Sequence, residues 1–119
     1  MKMRIFFAAC LIPILITEKA VGGTTGNDLL QSCIDFVEQK NNSGFFNQGV
    51  CAGAVNTTLI LSEIILQRRS CPPNGVTTAQ AVRVVIAYMQ RHPEGLHNDI
   101  AAIAIVALAE AWPCANRQQ

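Results

Sequence analysis

The stretch Cys71-Pro72-Pro73-Asn74-Gly75-Val76-Thr77-Thr78-Ala79-Gln80 divides two helical patterns and sets the character of the chain. Two consecutive prolines cannot continue a helix, because each lacks a backbone N–H and its ring collides with the preceding turn. Asn74-Gly75 then turns the chain. Thr77-Thr78-Ala79-Gln80 has the spacing of a capping box, in which the Thr77 hydroxyl and the Gln80 side chain satisfy free backbone donors at a helix start. Val82, Val85, Ile86 and Met89 follow at helical spacing as a buried face, with Tyr88 at its edge. Arg91-His92-Pro93 ends this helix, since the residue before a proline avoids the helical region.

Upstream of the prolines, Val50 to Arg68 reads as a helix with Cys51, Ala54, Val55, Thr58, Leu61, Ser62 and Ile65 on one face. Ile60, Ile64 and Leu66 make its remainder apolar too, which places it at the centre of a bundle or in an oligomer interface. Arg68 and Arg69 suit its C-terminal end. A preceding helix is expected from Asp28 to Gln39, with Leu29, Leu30, Cys33, Ile34 and Val37 on one face and Thr25 placed to cap against Asp28. Between the two, Lys40-Asn41-Asn42-Ser43-Gly44 is a loop by composition. Phe45 and Phe46 come next and are expected to anchor that loop to the core, with a partner-facing role as the alternative.

Downstream, Pro93 and Glu94 suit the first turn of a fourth helix. Leu96, Ile100, Ile103, Ala104, Ala107, Leu108 and Ala111 then recur at three and four residues until Pro113. The alanines permit close approach of a neighbouring helix. No segment alternates with a period of two, so no strand is expected. The expected fold is all-α: a small four-helix bundle, orthogonal or antiparallel, in which short connections favour antiparallel neighbours.

The 119 residues are half apolar and 14% charged, a composition for one packed domain. Residues 1–22 read as a cleaved signal peptide: Lys2 and Arg4, an apolar run from Ile5 to Ile16, then Ala20, Gly22 and Gly23. Cleavage is expected after Gly22 or after Gly23, leaving 23–119 as the mature helical domain. Its removal takes the balance from nine bases and eight acids to six and seven. A near-neutral domain without a basic stripe is a poor match for nucleic acid. No membrane attachment is expected after cleavage.

Cys10 leaves with the signal, and Cys33, Cys51, Cys71 and Cys114 remain, an even set that reads as two disulfides in an exported chain. Three connectivities are open to four cysteines. Antiparallel helix order brings Cys71 to the same end as Cys114 and leaves Cys51 for Cys33. In the loop-entropy treatment such bridges contribute roughly 3 and roughly 4 kcal/mol.

No catalytic constellation is visible, and no cofactor or metal is implied. His92 and His97 stand five apart with Glu94 between them, which is not the spacing of a metalloprotease helix. They read as structural, His92 closing the turn and His97 lying on the first turn of the fourth helix, against a metal-binding or proton-transfer alternative using His92, Glu94 and His97. Ser32, Ser43, Ser62 and Ser70 lie in no nucleophile turn. Trp112, beside Pro113 and Cys114, is expected to plug the core.

Gly26-Asn27-Asp28-Leu29-Leu30-Gln31-Ser32-Cys33 resembles the opening of the Rap/Tai group of periplasmic immunity proteins. Cys51-Ala52-Gly53 is similar to that family's second cysteine element. A longer match runs through Cys71-Pro72-Pro73-Asn74-Gly75-Val76-Thr77, Gln80, Arg91-His92-Pro93-Glu94-Gly95-Leu96-His97 and Ala109-Glu110-Ala111-Trp112-Pro113-Cys114. The departure is Ala54-Val55-Asn56-Thr57-Thr58, where the family usually carries an aromatic and a glycine-containing repeat. The resemblance implies a non-enzymatic periplasmic protein, often a homodimer, that occludes the active-site cleft of a peptidoglycan amidase effector of type VI secretion. The candidates for partner contact are Asn41, Asn42, Ser43, Phe45 and Phe46 in the first loop, with Arg91, His92, Glu94 and His97 in the later turn. Two rival readings are an envelope or stress protein of the same fold without an effector partner, and the histidine-based metal or hydrolytic protein.

Overall fold

Thr25 starts the first helix by satisfying donors that a helix cannot satisfy for itself. Its side chain accepts the N–H of Asp28, and the Asp28 carboxylate accepts the N–H of Thr25, a complete capping box. The computed structural model describes residues 24–64 and 69–115; the expected signal segment and the expected end of the second helix at 65–68 lie outside them. Within the described residues four helices follow one another: α1 (Gly26–Glu38), α2 (Phe45–Ile64), α3 (Thr78–Arg91) and α4 (Ile100–Ala111), with a 3-10 turn at Pro93–Gly95 before the last. Among the described residues there is no strand, only an isolated bridge between Thr25 and Asp99. The fold is a small all-α one, as its apolar spacing requires.

Two helix starts and one cap differ from expectation. Helix α2 begins at Phe45 rather than Val50, so the loop ends at Gly44 as its composition indicated and residues 45–49 are already helical. Helix α4 begins at Ile100, not at Pro93, because the Asp99 carboxylate accepts the N–H of Ala101 and makes the N-cap there. At α3 the Thr77 hydroxyl accepts the Gln80 N–H at 3.2 Å, but only this half of the box forms. Gly75, at φ 87°, supplies the left-handed turn that Asn74-Gly75 announced.

The core is drawn from all four helices. Leu29 and Cys33 of α1, Cys51 and Val55 of α2, Val82, Val85 and Met89 of α3, and Ile100, Ala104 and Leu108 of α4 are buried together. Trp112 packs half-buried against this cluster. Ser70, itself buried, donates to the Ser62 hydroxyl at 2.9 Å and fastens the returning chain to α2. The bridges form as helix order indicated, Cys33–Cys51 with Cα atoms 5.5 Å apart and Cys71–Cys114 with Cα atoms 5.0 Å apart.

The start of α1 is locked to the turn before α4. The N–H of Gly26 donates to the Asn98 carbonyl at 3.0 Å, that of Asn27 to the Leu96 carbonyl at 2.8 Å, and that of Ile100 to the Thr24 carbonyl at 2.8 Å. Helix-terminal donors and a loop's free carbonyls thus satisfy one another. The approach is so close that a side chain at position 26 would force its neighbours to shift. A β-carbon there would lie 2.8 Å from Ile103 Cδ1 and 3.1 Å from the Leu96 carbonyl oxygen.

Candidate functional site

The first candidate segment is built around one buried carboxylate. Helix α1 ends through Gln39, whose left-handed conformation (φ 57°) turns the chain and lets the N–H of Lys40 reach the Asp35 carbonyl at 2.9 Å. The Asp35 side chain, fully buried, then accepts the Ser43 N–H at 2.8 Å and the Gln31 side-chain amide at 2.9 Å. Hydrogen bonding from Ser43, and after it from Gln31, holds the Asp35 carboxyl below its ordinary value of 3.8. A second clamp comes from the far side, where the Gln48 side chain donates to the Lys40 carbonyl at 2.7 Å. The loop is short and tied at both ends.

This clamp fixes the first turn of α2, and there the anchoring expectation fails. Phe45 and Phe46 are 74% and 75% exposed, so they do not fasten the loop to the core. The hydrogen bonds of Asp35 and Gln48 do that work, and the two rings are left facing solvent. Asn41 and Asn42 are exposed beside them, with Ser43 partly covered. Lys40 pairs with Glu38 at 2.6 Å on the open surface, a contact that contributes little net stability.

The second candidate segment is the turn after α3. The His92 ring stacks on Tyr88 with centroids 4.3 Å apart, and its Nδ1 lies 3.2 Å from Glu94 Oε1. Glu94 is held below the ordinary carboxylate range first by its own backbone N–H and then by this ring. Arg91 pairs with Glu110 of α4 at 3.1 Å. His97 is exposed and, against expectation, precedes α4 rather than lying on its first turn. Among the described residues no group of three or more His, Cys, Asp or Glu side chains is placed to hold a metal ion. His92 and Glu94 are brought together as a turn-closing pair.

The two segments do not form one patch. The Lys40–Phe46 segment sits at the C-terminal end of α1, and the turn before α4 packs on its N-terminal end. Thirteen helical residues at 1.5 Å each separate them by about 20 Å.

A third surface was not among the candidate residues. Gly53, Ala54, Thr57, Thr58 and Leu61 of α2 face Ala101 and Ile105 of α4 across an apolar groove of about 360 Å³. Ile105 also lines a neighbouring hollow with Val106 and Ala109. Ile64 is 73% exposed, and Ile60 and Val106 are each 50% exposed. The signal for this face was in the sequence, in the apolar excess around the second helix and the small residues of the fourth.

None of the helices among the described residues is long and apolar enough to cross a membrane. Comparison with curated proteins and with solved structures finds no match. The model of the Rap1a immunity proteins matches residues 25–114, from the first capping residue to the last bridged cysteine. That match covers about three quarters of the chain and takes in every element of the fold. The chain therefore belongs to the Rap1a immunity protein family.

Proposed function

We propose that this chain is a periplasmic immunity protein that binds a peptidoglycan amidase effector of type VI secretion and occludes its active-site cleft. Family membership supplies an immunity role towards a type VI effector. The amidase, the periplasm and the steric mechanism are our reading. One observation supports contact with a protein above all: two adjacent phenylalanines stand about three quarters exposed on a helix turn that partly buried hydrogen bonds hold in place. Aromatic side chains presented rigidly bind with little ordering entropy left to lose. Inhibition of this kind needs no chemical step from the inhibitor, and the two bridges leave no thiol free for one among the described residues.

The α2–α4 face supports self-association, and we read the protein as a homodimer across it. Its apolar groove and the exposed Ile64 and Val106 form surface of the kind that a partner helix covers. The two bridges fit an exported protein, because such bonds persist in oxidising compartments.

Co-purification with a candidate amidase tests the reading. A stable complex that survives gel filtration is expected, together with loss of amidase activity. If no complex forms and the amidase stays fully active with this protein in excess, the reading fails.

A further inference from the structure

The two disulfides occupy opposite environments. Cys33 and Cys51 are both completely buried between α1 and α2. Cys71 is exposed and Cys114 partly so, at the end of α4. Thiol–disulfide exchange requires an attacking thiolate to reach a sulfur of the bridge, so access decides which bridge exchanges in the folded state. One bridge joins an exposed residue to a half-buried one, and the other joins two residues with no exposed surface.

We propose that Cys71–Cys114 is a reducible latch on the C-terminal end of α4, opened by dithiols while Cys33–Cys51 stays closed. The bridge joins the segment after α2 to the segment after α4. The Cys71 N–H donates to the Trp112 carbonyl at 2.8 Å, and Trp112 caps α4 two residues before Cys114. The buried Ser70–Ser62 bond secures the chain just ahead of Cys71, and α1, α2 and α3 keep their own core contacts. Opening the latch leaves the Trp112 end of α4 held by non-covalent contacts alone, so that end loosens while the bundle stays folded. That turn borders the hollow lined by Arg69, Ile105, Val106, Ala109 and Glu110, so the apolar α2–α4 face changes with it.

The chemistry balances with a dithiol as co-reactant. Its first thiolate attacks Cys71 Sγ, the S–S bond breaks, and Cys114 leaves as a thiolate that takes up a proton. The second thiolate of the reductant then attacks the mixed disulfide and frees Cys71, which is protonated in turn. Two electrons and two protons pass to the cystine, and the dithiol ends as a disulfide.

The test is reduction of the folded protein by dithiothreitol in native buffer, followed by alkylation and peptide mapping by mass spectrometry. Label is expected on Cys71 and Cys114 at least tenfold faster than on Cys33 and Cys51, which become reactive only with denaturant. Trp112, the single tryptophan, reports the release as a shift of fluorescence emission while helical circular dichroism is retained. Equal labelling of all four cysteines, faster labelling of Cys33 and Cys51, or no labelling before global unfolding would each overturn the latch. So would opening of Cys71–Cys114 with unchanged Trp112 emission. A Cys71→Ser, Cys114→Ser double variant is expected to show the shifted emission from the start and no further response to the dithiol. If that variant fails to fold, the measurement on the unaltered protein still decides.

Discussion

The Asp35 carboxylate accepts the backbone N–H of Ser43 at 2.8 Å, eight residues further along the chain and across the turn between α1 and α2. That one bond sets the length of the turn and the point at which α2 begins, and through them the position of Phe45 and Phe46. An ionised group with no exposed surface is tolerated there because donors from Ser43 and Gln31 replace its water.

Asp35→Asn should destabilise the protein at neutral pH and flatten its acid transition. The folded Asp35 carboxyl ionises below its ordinary value of 3.8, so its contribution is present above that value and is lost as pH falls through the lower folded one. The asparagine has no charge to lose, and its amide cannot accept both bonds. Thermal melts of the two proteins between pH 2 and pH 7 should converge towards the acid end. Parallel curves would show that Asp35 is not the group responsible.

Gly26→Ala tests the docking of α1 on the turn before α4. The added methyl would meet Ile103 Cδ1 and the Leu96 carbonyl, and overpacking of this kind costs about 1–3 kcal/mol. Gly53→Ala is the internal comparison, because nothing lies within 4 Å of the place its methyl would take and it sits in the body of α2. Its expected effect is a gain of roughly 0.5–1 kcal/mol from helix propensity. Urea titrations of both variants measure the difference.

Gln39→Gly should stabilise. Gln39 holds the left-handed conformation that glycine adopts without penalty, and relief of that penalty is worth about 1 kcal/mol. A rise in the urea midpoint with an unchanged slope is the expected outcome. A fall would mean that the Gln39 side chain supports the turn in some way that its backbone does not reveal.

Phe45→Ala with Phe46→Ala separates binding from folding. Both rings are about three quarters exposed, so stability should move by no more than about 0.5 kcal/mol. Affinity for the effector should drop by roughly 30-fold or more, as expected for removal of an aromatic anchor worth about 2 kcal/mol. Calorimetric titration with the effector reads the second effect, and a thermal melt reads the first.

The helices were legible because their apolar residues repeat at three and four and because Thr25, Thr77 and the prolines mark their ends in local sequence. The start of α2 was not. Phe45-Phe46-Asn47-Gln48-Gly49 has no apolar period, and the bond that organises it comes from Asp35, outside any local window. The start of α4 is hidden for the opposite reason: Leu96 continues the spacing of Ile100 and Ile103 so smoothly that it masks the Asp99 cap. Both candidate segments are visible in the sequence as breaks between helices, but their separation by the length of α1 is a fact of packing. The exposure of the two phenylalanines likewise follows from how the turn is clamped, since their apolar character alone argues for burial.

Titration of a peptidoglycan amidase effector with this protein, following cleavage of the peptide cross-links, tests the central claim most directly. Activity should fall linearly to zero at a fixed stoichiometric ratio, as expected for tight occlusion of the cleft. Full amidase activity at a tenfold excess of folded, doubly bridged protein, for every effector encoded beside it, would contradict the account.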